Sequence, residues 1–381
     1  MVRPSLFHIF VLLIFAGMLL VCAGFFFDRA DILDSSWNYY KSNFISKDGR
    51  VIDPQREDST TSEGQAYALL RAALVNDRKE FDLVLNWTQN NLKRKKDNLY
   101  SWLWGKNSDG KWEVLDKNAA SDADIDIASS LIIAYHKWQD KAYLVRAKKI
   151  IKDIWKLETA EIKGKRVLIS GIEQAKAANI EINPSYFAPY AFKLFAGYDK
   201  KHNWQSIADS SYELLDRITA LSDSGLPPDW FLMDAKTGEI KFDENCKRAC
   251  FSYDAIRTFI RIYADYKLYG DKRAEKFLSK VKFFLDKNKE QKDGMFYTQF
   301  DRNGKSIVDY ENTEFIALLL PVIKIYDGEK AFNLFKEKVQ KYYKQGYWKD
   351  PKNYYTQNLV WIGVWVYLND KEISAASEGA K

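Results

Sequence analysis

The chain is poor in the residues that build the commonest reactive centres. Its 381 residues include three His, three Cys and four Met. A His/Cys zinc site has almost nothing to draw on, because no His lies near Cys246 or Cys250. No Gly-rich phosphate loop and no Ser-His-Asp pattern occurs. Eight Pro and 18 Gly argue against long disordered linkers. Excess charge of one sign is also scarce. The 58 basic and 52 acidic residues leave +6, with the signs interspersed, so no nucleic-acid footprint is visible. The one basic cluster, KRKK at 93–96, reads as a solvated helix end.

Long hydrophobic runs are absent but for one. Leu6–Phe27 carries no fixed charge, with Arg3 before it and Asp28 and Arg29 after it. It exceeds an ordinary signal-peptide core and reaches the length of about 20 residues that spans a bilayer. Residues 1–28 are therefore expected to form an uncleaved membrane anchor, with 29–381 a single extracytoplasmic domain. Cleavage, which would give a secreted protein, is the rival reading. Cys22 is a poor match to a lipoprotein site, and a buried core helix is the third alternative. An exported location permits a Cys246–Cys250 disulfide, and two reduced thiols are an equal alternative.

Aromatic residues are plentiful, at 15% of the chain. Most belong in a core, but Tyr and Trp also make ring surfaces with a polar handle, the kind that sugars pack against. From residue 30 on, apolar residues recur at three- and four-residue steps, which predicts helices over 31–45, 63–76, 78–94, 122–138, 140–155, 186–197, 203–221, 252–269, 271–288, 311–325, 328–344 and 355–369. Very short turns at Asn76-Asp77, Gln139-Asp140, Gly270-Asp271 and Asp327-Gly328 alternate with long connections at 95–121, 156–185, 222–251 and 289–310. Short turns make antiparallel hairpins. Six hairpins imply an all-α (α/α)6 toroid, with the long loops gathered at one end. Residues 165–172 and 296–300 look like strands of loop hairpins.

Four stretches carry candidate chemistry, all at helix starts or in long loops. In TSEGQAY, 61–67, Glu63 stands in a first turn beside Gly64; Thr60 and Glu63 also have capping-box spacing, so a structural role competes. ASDADIDIASSLIIAYHKW, 120–138, crowds Asp122, Asp124 and Asp126 at a helix start. The helix dipole welcomes one or two of them, and a calcium loop lacks its Gly and distal Glu. In CFSYDAIRTFIR, 250–261, Asp254 and Arg257 are spaced to pair on one helix face. LYSWLWGK, 99–106, and NPSYFAPYAF, 183–192, offer Trp102, Trp104, Tyr186 and Tyr190. Carboxylates at loop ends among aromatic rings suit glycoside hydrolysis, which needs one acid and one base about a glycosidic bond. The acid must stay protonated near neutral pH and so wants a partly desolvated site.

These stretches resemble glycoside hydrolase family 8. ASDADIDIASSLIIAYHKW fits the family signature nearly throughout, and TSEGQAY, SWLWG, NPSYFAP and YDAIR fall in the expected order. The resemblance implies an inverting, endo-acting hydrolase that needs no metal or cofactor. Glu63 matches the general acid and Asp254 the general base. Asp124 matches a carboxylate that holds the reacting sugar, with Asp122 close by. Trp102, Trp104, Tyr186, Tyr253 and Arg257 match cleft positions. Other members have Asn where Asp254 stands, or a Glu base in an inserted loop. Keeping Asp without such an insertion favours the cellulase-type group, with a β-1,4-glucan substrate. The anchor, and a chain that ends soon after the last helix, fit members tied to cellulose secretion, so a membrane cellulose-synthase complex is an expected partner. A monomeric catalytic domain is expected. Chitosanase, xylanase or mixed-linkage glucanase activity, a non-hydrolytic glucan-binding subunit and a lyase are the alternatives.

Overall fold

The computed structural model describes residues 32–242, 247–289, 291 and 293–370. The expected anchor and Cys246 lie outside them. Among the described residues no helix is long and apolar enough to cross a membrane.

Helices dominate. The chain is helical over 32–44 (α1), then at Ser62–Leu74 (α2), Arg78–Asn91 (α3), Ser121–Trp138 (α4), Lys141–Leu157 (α5), Pro189–Tyr198 (α6), Trp204–Ala220 (α7), Ile256–Tyr269 (α8), Lys272–Leu278 (α9), Val281–Lys289 (α10), Thr313–Tyr326 (α11), Gly328–Leu334 (α12) and Tyr354–Leu368 (α13). Helices α2, α4, α6, α8, α11 and α13 each touch the next, and α13 returns to α2, closing an inner ring. The others pack outside it. Trp361 Nε1 donates to Leu33 O (3.1 Å) and Asn358 Nδ2 to the Tyr40 hydroxyl (3.0 Å), so α1 completes the sixth pair with α13.

Residue pattern explains which helix goes where. Inner α11 is buried at every position from Thr313 to Ile323. Outer α5 buries only the stripe Tyr143, Ala147, Ile150, Ile151 and Ile154, as an amphipathic helix should. The inner-to-outer turns are short because one acidic or amide residue ends one helix and caps the next. Asp77 accepts from Glu80 N (3.1 Å), Asp140 from Ala142 N (2.9 Å), Asp271 from Arg273 N (2.9 Å), Asp327 from Lys330 N (2.8 Å) and Asn203 from Ser206 N (3.3 Å). All these turns lie at the C-terminal ends of inner helices. The long connections therefore lead into the N-termini of the inner helices, which collect at the opposite end.

Several expected boundaries shift. The helix expected over 271–288 breaks at Ser279-Lys280 into α9 and α10, and the one over 328–344 passes after Leu334 into a π turn at Phe335–Val339 and a 3-10 turn at Gln340–Tyr342. Helix α6 starts late because Pro189 opens it, and α8 starts after a turn held by Asp229. Lys165–Leu168 does form a hairpin, with Thr159–Ile162. Residues 296–300 form only isolated bridges, Phe300 to Phe251 and Ser306. The long loops hold more strand than expected. Thr60–Thr61 (β1), Ser101–Lys106 (β2) and Trp112–Ala119 (β3) make an antiparallel sheet, with Thr60 opposite Trp104 and Thr61 opposite Leu103. SWLWG is thus a strand beside the start of α2.

The ring closes tightly at one crossing. A Cβ on Gly363 of α13 would stand 2.4 Å from the Ala317 carbonyl of α11, so the backbones meet where only Gly fits. Gly363→Ala is expected to cost about 1–3 kcal/mol or more through overpacking. Thermal unfolding of the two proteins, with a drop of several degrees in Tm, checks it.

Candidate active site

The cluster is built on helix starts. Thr61 is the N-cap of α2, its hydroxyl accepting from Gly64 N (3.0 Å), which places Glu63 in the first turn. Gly64 is needed because a Cβ there would press on Thr61, Tyr354 and Val51 at 3.3–3.4 Å. The Glu63 carboxylate does not fold back on the Thr60 backbone as a capping box would. Its Oε2 accepts from Arg257 Nη1 at 2.5 Å.

Arg257, one turn after Asp254 in the first turn of α8, is 3% exposed and makes four contacts there. Nη1 also donates to Asp122 Oδ2 (3.0 Å) and the Tyr67 hydroxyl (3.2 Å), and Nη2 donates to Asp254 Oδ1 (2.6 Å). Since the two Nη atoms of a planar guanidinium sit about 2.3 Å apart, Glu63 Oε2 and Asp254 Oδ1 can stand no more than about 7.4 Å from each other. Tyr186 stacks on the same cation, with its ring centre 5.7 Å away.

One positive charge thus faces three carboxyls. The neighbouring Asp126 offers no surplus cation, because Arg261 grips it through two bonds of 2.8 and 2.7 Å. Three carboxylates around one cation are short of positive charge, so a carboxyl that can keep its proton will do so. That group is Glu63. Burial, opposed by Arg257 and reinforced by Asp122, Asp254 and Asp126, pushes it up to about 7. Its side chain is still 22% exposed, so it meets the cleft. Asp254 is more open, at 31%.

Asp254 is held at both oxygens. Trp230 Nε1 donates to Oδ2 at 2.7 Å. Arg248 covers the Trp230 ring at 4.2 Å and Tyr186 meets it edge to face. Beneath, Asp229 Oδ1 accepts from three backbone N–H groups, Ser252 (3.0 Å), Asp254 (3.1 Å) and Ala255 (2.7 Å), fixing the turn that presents Asp254. Burial and the neighbouring Asp254 push Asp229 up to about 7 despite those bonds. Tyr253, 43% exposed, lies beside Asp254 with its ring edge-on to Phe315.

Asp124 departs from the expected arrangement. Residues two apart on a helix point about 200° apart, so Asp122 and Asp124 cannot face one place. Asp122 takes the position on Arg257. Asp124 is fully buried, accepts from Tyr100 N (3.1 Å) and lies beside buried Glu158. Burial raises both of these carboxyls well above their ordinary range. Asp122 thus faces Arg257, and Asp124 ties the start of α4 to the Tyr100 backbone.

The tryptophans divide similarly. Trp104 stacks on Trp112 (4.8 Å) and meets Trp87 edge to face, with Arg50 over both Trp104 and Trp112, so it belongs to a cluster on the hairpin. Trp102, half-buried, has Arg56 over its ring at 5.2 Å. Tyr190 packs against the core. Tyr67, Asp229, Trp230 and Arg261 escaped the reading of the sequence. Tyr67 was accessible, being one turn after Glu63 on the same helix face. Asp229-Trp230 after Pro227-Pro228 in a long loop was a weaker sign. Among the described residues no group of three or more His, Cys, Asp or Glu could hold a metal ion.

Comparison with known proteins places this cluster. The family profile of glycosyl hydrolases family 8 matches residues 10–346. An endoglucanase of Escherichia coli K12 is 36% identical over 231 residues, 59% of this chain and 61% of that protein, and one of Xanthomonas axonopodis pv. citri is 36% identical over 230. The chain thus spans about three fifths of the length of these relatives. Among solved structures, a family 8 endoglucanase from Klebsiella pneumoniae superposes with a TM-score of 0.72 at 25% identity, covering 88% of this chain and 99% of that one. An endo-1,4-D-glucanase from Vibrio fischeri gives 0.70 at 27% identity, covering 88% and 94%. With a profile match running through nearly the whole sequence and a closed ring of six helix pairs, this chain belongs to glycosyl hydrolase family 8.

Proposed function

We propose that the protein is an inverting endo-β-1,4-glucanase that cuts cellulose-like chains. The observation that carries this reading is the single Arg257 guanidinium that joins a carboxyl raised to about 7, Glu63, to a more exposed carboxylate, Asp254. A glucan chain lies across the inner-helix N-termini. Glu63 gives its proton to the glycosidic oxygen while Asp254 takes one from a water on the other face of the ring. Asp122 and Tyr186 hold the reacting sugar, and Tyr253 and Trp102 offer rings further along. The upper bound on the bridged oxygens leaves room for the near end of the roughly 6.5–9.5 Å window of inverting pairs and equally for the roughly 5 Å gap of a retaining pair, so the anomer released decides between them. The glucan preference follows the two endoglucanase relatives. The hydrophobic run at Leu6–Phe27 supports tethering at the membrane, facing outward, as a monomeric domain serving exopolysaccharide export.

Carboxymethylcellulose, chitosan, xylan and mixed-linkage glucan, each tested with wild type and with Glu63→Gln, decide the reading. The β-1,4-glucan should be cut fastest and Glu63→Gln should lower kcat by about 10²–10⁴-fold, as should Asp254→Asn. Release of the α-anomer first, seen by proton NMR, is the inverting outcome; a β-anomer first would defeat it.

The pH dependence has a definite sign. Glu63 must be protonated to act, so kcat/KM should fall above about pH 7, as a property of the coupled cluster rather than of one group. For stability, a raised native pKa means the folded state binds this proton more tightly. The benefit is complete below the ordinary carboxyl range and is lost as pH rises through about 7. Glu63→Gln removes the loss, so its Tm relative to wild type should rise between about pH 5 and pH 8.

Trp230→Phe keeps the ring and deletes the N–H on Asp254. With such bonds to charged groups worth about 1.5–3 kcal/mol, kcat should fall about tenfold or more while KM changes little. Steady-state kinetics on carboxymethylcellulose measures the split.

A further inference from the structure

On the outer wall, away from the catalytic cluster, a cavity of about 220 Å³ opens between the end of α3 and the middle of α5. Gln89, Lys93, Asn98, Tyr100, Arg146 and Lys149 line it. It runs into a groove of about 480 Å³ along 93–98. Lys93, Lys95, Lys96, Arg146 and Lys149 have no carboxylate within ion-pair distance among the described residues, so their charges are uncompensated. Of the two nearby acids, Asp97 is paired with Arg94, and Asp153 keeps its charge with its Oδ2 turned to neutral amide donors. Asp97 receives Arg94 Nε (3.1 Å) and Leu99 N (3.1 Å), and Asp153 Oδ2 receives Asn98 N (2.8 Å) and Nδ2 (2.7 Å).

The loop is also preorganised. Arg94 N bonds to Leu99 O (3.0 Å), Ser101 N to Leu92 O (2.8 Å), and the Arg94 guanidinium to Lys117 O. Completing the C-terminal dipole of α3 would account for Lys93 and Arg94. It does not account for Arg146 and Lys149, which come from the middle of a neighbouring helix. Cations from two elements around a concave, rigid site repel one another until an anion fills it. Gln89 and a half-buried Arg add directional donors of the kind that phosphoryl oxygens accept.

We propose that this cavity binds a phosphoryl-bearing anion of diphosphate or sugar-phosphate size. Inorganic pyrophosphate is the probe, titrated calorimetrically into the folded domain at low ionic strength, where the attraction is least screened. Wild type should bind, and Arg146→Gln/Lys149→Gln should weaken binding about tenfold or more. Lys93→Gln/Lys149→Gln, which leaves the half-buried Arg146 in place, should weaken it too. Carboxymethylcellulose hydrolysis should stay unchanged in both, so the test stands apart from the glucanase reading. Co-sedimentation with phosphatidylcholine vesicles containing phosphatidylglycerol separates the sources. Vesicle binding lost in the same variants, together with pyrophosphate binding, makes the ligand a lipid headgroup; pyrophosphate binding without vesicle binding makes it a soluble phosphate ester. No pyrophosphate binding by wild type, even where vesicles bind, or binding that neither variant weakens, overturns the proposal.

Discussion

Everything at the catalytic end depends on one guanidinium that must satisfy three carboxyls. Arg257 reaches Glu63 and Asp122 with one nitrogen and Asp254 with the other. A planar fork can do this because its donors diverge at fixed angles; an ammonium is a point charge and could not span both sides. The arrangement is costly, since a buried cation is tolerable only when its partners stay in place. It also sets the carboxyls apart, because burial among the other acids raises Glu63 while Asp254 stands more open to solvent.

The scaffold meets this demand through the direction of its helices. Inner helices all start at the same end because each outer helix carries the chain back. Their positive dipole ends therefore converge where Glu63, Asp122 and Asp254 sit. Six such ends offset part of the cost of burying acidic groups. The opposite end, with its turns of one to five residues, lacks the long loops that could wall a cleft. Below the cluster the doubly bonded pair of Asp126 with Arg261 holds α4 and α8 in register, and Asp124 beside Glu158 ties the start of α4 to the end of α5.

Much of this was legible in the amino-acid order. Apolar periodicity gave the helix pairs, and the Asn76-Asp77 and Gly270-Asp271 turns gave their hairpins. Local spacing placed Glu63 and Asp254 at helix starts. Long-range direction was not legible. Nothing in ASDADID says which Asp faces Arg257, because that depends on how α4 rotates against α8, more than 100 residues on. Asp229 and Trp230 were hidden for a similar reason. Their hydrogen-bond partners, Ser252, Asp254 and Ala255, lie further along the same connection, and only its folded course brings the two stretches together. The strand character of SWLWG was masked by its Trp residues, which read equally well as core or as cleft.

The ring also has a temporal side. Thr61, the cap beside Glu63, lies against Tyr354 at the start of α13, 293 positions later in the chain, and Tyr355 donates its hydroxyl to Tyr253 O at 3.0 Å. The wall beside Glu63 is therefore finished by a segment made long after Glu63 itself. Contacts of that sequence separation repay their loop-closure entropy only at the end of folding. A partly emerged chain would display Glu63 and Asp122 on an open arc of helices, without the wall that α13 supplies. The circle is shut where α13, seated on α11 through Gly363, meets α2.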